Sequence, residues 1–385
     1  MRRIKNIHLP EASSFHVPAN LWTIVLEDNG LILSVQSIPN ASKISGEDWQ
    51  GDWLSPRGID LQINGGLGLS FTELDFKELP KLLELLEHLW NDGIEAICPT
   101  FVSCSRSSLR LGLEVLREAR KHSSFNRCKL LGAHLEGPFL SKDHLGAHDL
   151  NSICLPSLKN LNKLIDGFES EVSLFTIAPE LDGAFDLIRY LKNLGVVVSL
   201  GHSSAKEEES FQSFEAGIEM ITHSFNAMKG LNHRDIGPVG AAIIQGIVFM
   251  GLIADGAHIN PNMAFLLHKL APRQLVLVSD AIAPYGLSDG QYCWDNRVVD
   301  VVNGVCRLAD RTLAGSTLPL LEACKNLAGW INNPSSAIWS ATIAPRRVLK
   351  KQTKIENYFI GQNLRDLLRW KRNSLTGCLS WQPAA

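Results

Sequence analysis

Four residues in this chain stand where a short apolar run gives way to polar sequence: Glu136, His202, His223 and Asp280. Two imidazoles and one carboxylate make a suitable catalytic metal set, because they leave a coordination position open for water. The ion lowers the pKa of that water toward about 7. A second carboxylate can then accept the water's proton and return it to a departing amine. Each residue also has a plainer reading. A lone histidine after a strand is more often a hydrogen-bonded structural residue, and an aspartate such as Asp280 is commonly a helix cap. Glu136 resists that reading, because a carboxylate closing an apolar run and followed by Gly137-Pro138 has little structural use. Four such residues at four run ends point to a site.

Other histidines and one arginine join the candidates. His134 precedes Glu136 by two residues, so both face one side of a strand; it either supports the site or is a satisfied core histidine. His148, in the loop beyond Glu136, either polarises a substrate carbonyl or is solvated, and His144 in the same loop reads as solvated. His233-Arg234 offers an anion grip, since arginine's fork suits phosphate, although a loop arginine is more often surface. Nothing is assigned to His8, His16, His88, His122 or His268.

The elements that must position these residues are short apolar runs at 59–63, 94–101, 130–135, 172–178, 196–200, 220–222, 248–254 and 275–279. Most lack clean alternation, which suits parallel strands buried on both faces. Leu79, Leu82, Leu83 and Leu86 recur at helical spacing, and that helix stops at Asn91-Asp92-Gly93. Ser204 and Glu207 read as a capping box whose helix closes at Gly217. Eight strands alternating with helices predict an α/β fold, a (β/α)8 TIM-like barrel with the functional residues at the C-terminal strand ends. Residues 21–36 read as a hairpin around Asp28-Asn29-Gly30. The tail from about 350 is more polar, with one amphipathic piece at 364–370. We therefore expect a small β-rich domain formed from both termini, 1–55 plus 341–385, and a hydrolase barrel at 56–340.

The chain has 385 residues, 45% hydrophobic and 20% charged, an ordinary globular composition for one large domain and a small one. A net charge of −3 gives no electrostatic reason for a nucleic-acid or membrane partner. Any phosphate must therefore be caught locally. Eight cysteines without a C-x-x-C pair read as reduced, mostly buried thiols. The start lacks a signal-like apolar run, and the most apolar stretch, 239–254, is broken by Gln245, Gly246 and Gly251. Cytoplasm is the expected location.

Taken together, the motifs resemble the N-acetylglucosamine-6-phosphate deacetylase family of the amidohydrolase superfamily. The likeness runs through Gly58-Ile59-Asp60-Leu61-Gln62-Ile63-Asn64-Gly65, His134-Leu135-Glu136-Gly137-Pro138, Ala178-Pro179-Glu180 and Gly201-His202-Ser203. It continues in Thr222-His223-Ser224-Phe225-Asn226-Ala227-Met228, Asp255-Gly256-Ala257-His258, Val278-Ser279-Asp280 and Leu313-Ala314-Gly315-Ser316. The resemblance implies Glu136, His202 and His223 as metal ligands, with Asp280 as general base and acid. It implies that Ala147 and His148 contact the sugar and its acetamide, and that Asn226, Ala227, Arg234 and His258 contact sugar and phosphate. It further implies that Leu313, Ala314 and Gly315 form a substrate loop. It also implies a homodimer in which Arg234 reaches across the interface. Many superfamily members carry His-x-His on the first strand and bind two metals. Here Gln62-Ile63-Asn64 stands there, and amides are poor ligands beside imidazole, so one divalent ion per subunit is expected. Zn2+ is the first choice; Fe2+, Mn2+ or Co2+ would fit the same donors. The family's closing strand has only a loose echo at 361–368.

The implied reaction releases acetate from N-acetylglucosamine 6-phosphate. Its rivals are another small-molecule amidohydrolase and a catalytically inactive relative that binds sugar phosphates.

Overall fold

In the computed structural model, residues 1–14, 20–37, 45–295, 297–349 and 354–385 are described. His16 and positions 350–353 of the tail lie outside them. Eight parallel strands form the central sheet: β1 (Gly58–Ile63), β2 (Ile94–Val102), β3 (Ala133–Glu136), β4 (Val172–Ile177), β5 (Val197–Leu200), β6 (Ile218–Ile221), β7 (Phe249–Leu252) and β8 (Leu275–Leu277). Each pairs in parallel with the next. A parallel bridge from Ile63 to Ala281 joins the two edges, with Asp280 N donating to Gln62 O at 2.9 Å. The result is the expected barrel, nearly closed.

Every residue of β1, β5 and β8 is buried, which accounts for runs that are apolar without alternating. Helices follow the strands: α1 (Leu79–Asn91), α2 (Arg106–Ala119), α3 (Leu158–Ile165), α4 (Ala184–Asn193), α5 (Glu207–Ala216), α6 (Gly237–Gln245), α7 (Pro261–Leu270) and α8 (Leu320–Ile331). α2 begins where Ser105 Oγ accepts Ser108 N at 3.1 Å, and α7 where Asn260 caps a helix with Pro261 in its first turn. Their apolar faces (Leu82, Leu86, Leu113, Leu116, Leu187, Leu191) pack on the strands in one continuous core. At roughly 2 kcal/mol per buried leucine, this burial is the main force holding the layers together.

The capping box falls two residues later than the sequence suggested. Glu209 accepts from Lys206 N at 2.8 Å. Ser204 is instead held elsewhere, its N–H by Glu180 and its hydroxyl by Ser141. Gly217 does close that helix.

Both termini are β structure. Trp22–Leu26 and Ile32–Ser37 form the hairpin around Asp28-Asn29-Gly30, in a four-stranded sheet with Arg2–Ile7 and Glu47–Asp48. Trp53–Ser55 pairs with Leu368–Arg372, which pairs with Leu379–Pro383. The amphipathic piece of the tail is thus a 3-10 turn, Leu364–Asp366, followed by a strand. A second core cluster joins barrel residues Leu61, Leu174 and Met220 to Ile4, Ile24 and Leu26 of the terminal sheet. Between β8 and α8 lies an insertion the sequence reading did not anticipate. It is a four-stranded antiparallel sheet of Gly290–Trp294, Arg297–Val302, Val305–Arg307 and Leu313–Ser316.

All eight cysteines are free. Cys98, Cys128, Cys306 and Cys324 are buried and Cys104 half-buried, while Cys154, Cys293 and Cys378 are exposed. Among the described residues, no helix is long and apolar enough to cross a membrane.

Candidate active site

Glu136 is the last residue of β3, while His202, His223 and Asp280 stand two or three residues beyond β5, β6 and β8. The barrel brings all four together at one end. His202 Nε2 and His223 Nε2 lie 3.2 and 3.0 Å from Glu136 Oε1, and 3.0 Å from each other. All three residues are at most 5% exposed.

Around a tetrahedral ion with bonds of about 2.0–2.1 Å, donor atoms stand roughly 3.3–3.4 Å apart. The observed triangle is only slightly tighter, so the donor set fits a divalent ion. His202 Nδ1 donates to the His144 carbonyl at 2.9 Å, which leaves the Nε2 lone pair facing the triangle. Sequence reasoning missed this use of the His144 backbone. Burial works to raise the Glu136 carboxyl, but the neighbouring His202 and His223 imidazoles outweigh it and hold the group well below the ordinary carboxylate range. Burial lowers His223, and Glu136 reverses the balance, so its pKa is raised.

Asp280 sits beside this triangle, and no helix follows it, so it caps nothing. Gln62 Nε2 donates both to Glu136 Oε1 and to Asp280 Oδ1, at 3.1 Å each, and Asn64 Nδ2 donates to Asp280 Oδ1 at 2.7 Å. The first-strand amides thus tie the two carboxylates together as donors. Burial, and then the negative charge of Glu136, push Asp280 up to about 6, close to where a base that must also act as an acid is most useful.

His148 lies against His202, ring centroids 4.4 Å apart, and Glu136, His148 and His202 also lie close enough together to hold a metal. The hydrogen bonding of His148 argues for a different use. Its Nδ1 accepts the Ser103 N–H at 3.3 Å, which puts the ring hydrogen on Nε2. Burial and the neighbouring His202 hold it well below its ordinary pKa. A neutral imidazole with Nε2–H is a hydrogen-bond donor. It can serve a carbonyl oxygen better than a metal.

His134 is a satisfied core histidine under the site. Its Nε2 meets Thr176 Oγ1 at 2.7 Å, and burial lowers its pKa to about 4. Glu180 accepts from Ser203 Oγ at 2.6 Å and from Ser204 N, fixing the turn that carries His202.

A cavity of about 400 Å³ opens over these groups. Of the residues expected to bind substrate, Ala147, Asn226, Ala227, His258, Leu313 and Gly315 line it. His258 Nδ1 meets Asp255 Oδ2 at 2.7 Å, so its ring is held in place. Two expected residues are not brought in. Ala314 is fully buried against Val102 and Ile282, and Arg234 is exposed on the loop after β6, outside the cavity of its own chain. His233 beside it is exposed as well. Val102, Gly146, Ile253 and Ile282 complete its wall from the barrel side, and Trp294, Arg307, Arg311 and Thr312 line it from the unforeseen insertion. The Asn303-Gly304 dipeptide, a strong hairpin signal, could have revealed that sheet.

No protein-family model matches the chain. It is 31% identical to an N-acetylglucosamine-6-phosphate deacetylase from Vibrio furnissii, over 88% of this chain and 84% of that one. It is 32% identical to an N-acetylgalactosamine-6-phosphate deacetylase from Escherichia coli O157:H7, over 83% of each. Among solved structures, a mutant of the Mycobacterium smegmatis N-acetyl-D-glucosamine-6-phosphate deacetylase in complex with N-acetyl-D-glucosamine-6-phosphate matches with a TM-score of 0.79. The identity there is 25%, and the match covers 96% of this chain and 94% of that one.

Proposed function

This chain belongs to the N-acetylglucosamine-6-phosphate deacetylase family of amidohydrolases, and from that premise we propose that it hydrolyses the acetamide of N-acetylglucosamine 6-phosphate to acetate and glucosamine 6-phosphate. One observation carries the reading to these residues: Glu136, His202 and His223 turn three donor atoms onto a common point with Asp280 alongside.

Glu136, His202 and His223 would hold one divalent ion, Zn2+ by our reading, with Fe2+, Mn2+ or Co2+ able to use the same donors. When bound, such an ion supplies Lewis acidity, making water a competent nucleophile near neutral pH and polarising the amide carbonyl. The rest is the work of side chains. Asp280, charged above about pH 6, takes the proton of the attacking water. Water oxygen bonds to the acetyl carbon, and the carbonyl oxygen gains negative charge, which His148 Nε2–H stabilises. Asp280 then delivers its proton to the sugar nitrogen as the C–N bond breaks. Acetic acid and the amine form, the acid gives up its proton to the amine or to solvent and leaves as acetate, and the Asp280 carboxylate is restored.

We assign the sugar to Ala147, Asn226, Ala227, His258, Leu313 and Gly315, with the buried Ala314 holding that last strand in place. Arg234, exposed and outside its own cavity, is read as serving the cavity of a second copy. A homodimer accommodates this, and exposed Leu231, Ile244 and Ile247 on the same stretch would give a partner apolar surface to cover. Residues 1–55 with 341–385 are read as a small β-rich domain on the barrel of 56–340, and the cytoplasm as the location.

The test is acetate release by the purified, Zn2+-loaded chain from the 6-phosphates of N-acetylglucosamine and N-acetylgalactosamine. Release from N-acetylglucosamine 6-phosphate is expected, and the ratio of the two rates gives the epimer preference. Release from neither would end the proposal.

A further inference from the structure

One of the stretches that resemble the deacetylase family has no part in the chemistry above: Ala178-Pro179-Glu180, just beyond β4. Its backbone is pinned, with Ala178 N donating to Phe139 O at 2.9 Å and Leu181 N to Ala178 O at 3.4 Å. Glu180 does not line the cavity. Among the described residues, no cation pairs with its carboxylate, and both oxygens are given to the turn after β5. Oε2 accepts from Ser203 Oγ at 2.6 Å and Oε1 from Ser204 N at 2.5 Å. The Ser203 hydroxyl in turn accepts from Ala205 N at 3.0 Å, so one carboxylate organises three consecutive residues. Hydrogen bonds to an ionised acceptor are the strong ones. These three residues directly follow His202, whose backbone sits at φ +49°, uphill for a residue with a side chain. Ser141 holds the same turn from the other side, its N–H on His202 O at 2.9 Å and its hydroxyl against Ser204 Oγ at 2.9 Å. With His202 Nδ1 tied to the His144 carbonyl at 2.9 Å, the direction of Nε2 depends on where the turn holds the His202 backbone.

We propose that Glu180 is a positioning residue of the metal centre: by clamping Ser203 and Ser204 it holds the His202 turn in its left-handed conformation and so sets how tightly the site binds its ion. This rests on the reading of Glu136, His202 and His223 as the metal ligands. A donor already aimed at the ion needs no rearrangement when the ion arrives. Groups that orient a ligand without touching the metal typically account for about 10–100-fold in affinity. Without the carboxylate, the turn is free to relax toward negative φ. That swings the His202 Cβ and carries Nε2 away from Glu136 Oε1 and His223 Nε2, which now stand 3.2 and 3.0 Å from it. Glutamine would keep most of the clamp, because its amide oxygen can accept Ser204 N and its amide nitrogen can donate to Ser203 Oγ. Bound metal itself restrains the ring, so excess metal should restore what the missing clamp takes away.

The experiment measures Zn2+ affinity by chelator competition on purified, metal-stripped wild type, Glu180→Ala, Glu180→Gln, Glu136→Gln and Leu116→Val, with urea unfolding of each metal-free chain. Leu116 is buried on α2, away from the site, so its variant controls for a general loss of stability. Glu180→Ala should weaken Zn2+ binding by about 10–100-fold and Glu180→Gln by no more than about threefold. Leu116→Val should leave affinity unchanged although its urea midpoint falls. Acetate release by Glu180→Ala should fall at limiting Zn2+ and return to within about fivefold of wild type at saturating Zn2+. The clamp is overturned if Glu180→Ala binds Zn2+ within threefold of wild type, or if Leu116→Val or Glu180→Gln loses as much affinity as Glu180→Ala. Should the alanine chain fail to fold, Ser203→Ala, which removes one of the two bonds, decides instead: a loss of threefold or more supports the clamp and a smaller one overturns it. Glu136→Gln separates the clamp from the reading beneath it. If that variant keeps wild-type affinity, the ligand set is wrong and the clamp falls with it. If it loses the ion while Glu180→Ala keeps it, the ligand set stands and the clamp alone falls.

Discussion

Replacing Asp280 by Asn changes one oxygen into an amide nitrogen at nearly constant volume. The side-chain oxygen of the asparagine can still accept from Asn64 Nδ2 and Gln62 Nε2, which now serve Asp280 Oδ1 at 2.7 and 3.1 Å. The local fold should therefore persist, and what disappears is proton transfer. A positioned acid or base contributes roughly 10²–10⁴ in rate. Because one group serves both water deprotonation and amine protonation, whichever step limits turnover loses that factor. A fall of about 10³ in kcat, or about 4 kcal/mol in barrier, is the expectation. The pH profile adds a second readout. Wild-type kcat/KM should fall as pH drops through about 6, where the raised Asp280 carboxyl takes up a proton, and that limb should vanish in the variant. Stability supplies a third. A carboxyl raised from 3.8 to about 6 in the folded chain penalises folding as pH rises above its unfolded value, and the full penalty of about 3 kcal/mol is present above the folded one. The metal-free Asp280→Asn chain at pH 8 should then melt no lower than metal-free wild type. Steady-state acetate release from pH 5 to 9, with thermal melts on both chains, checks all three. A variant that keeps more than a tenth of kcat, or the same acid limb, refutes the role given to Asp280.

Other outcomes follow from the same geometry. His148→Gln should lower kcat by about 10²–10³, the usual cost of losing one donor to a developing oxyanion, while metal content by mass spectrometry stays at wild-type level; a loss of metal would make His148 a ligand instead. Wild type is expected to bind one ion per chain and to melt higher with added Zn2+, and Glu136→Gln should lose both the ion and the rise; full occupancy would remove Glu136 from the ligand set. Trp370 is fully buried, with Nε1 donating to Ser55 Oγ at 2.8 Å, so Trp370→Ala should cost about 3–5 kcal/mol in urea unfolding; a loss under 1 kcal/mol would show that the C-terminal strand contributes little to the fold.

The barrel was legible because its strands are buried on both faces, and such strands leave short, dense apolar runs in the sequence. The four residues at the strand ends were legible for the same reason, each being the first ionisable group where a run stops. What could not be read is whatever depends on backbone direction or on partners far away in sequence. Gln62 and Asn64 were noticed as poor metal ligands, but their use as amide donors to Glu136 and Asp280 needs strands β1, β3 and β8 in register. The supports of His202, a carbonyl at His144 and a carboxylate at Glu180, come from separate loops. The insertion sheet at 290–316 is built from short, partly exposed strands, and its clearest mark in the sequence is the Asn303-Gly304 turn. Arg307 and Arg311 belong to the last hairpin of that sheet, away from the strand ends that mark the barrel site.

The backbone at the site explains why these particular side chains meet only in the closed barrel. His202, His223 and Asp280 all adopt positive φ, at +49°, +28° and +48°, a conformation that costs a non-glycine residue on the order of 1 kcal/mol or more. A chain would not hold three such residues without compensation. Each turn is gripped by hydrogen bonds from a neighbouring segment. Ser141 N donates to His202 O at 2.9 Å, Ser224 N beyond His223 donates to Gly251 O at 2.7 Å, and Asp280 is clamped between Gln62 O and Ser316 N at 2.9 Å each. Each such bond contributes about 1 kcal/mol net, enough to offset the strain only when the adjacent strands are already in place. Site and barrel therefore form together. The three side chains are turned inward by a backbone conformation that an isolated strand–loop segment would abandon, and the donor triangle exists as a property of the closed sheet.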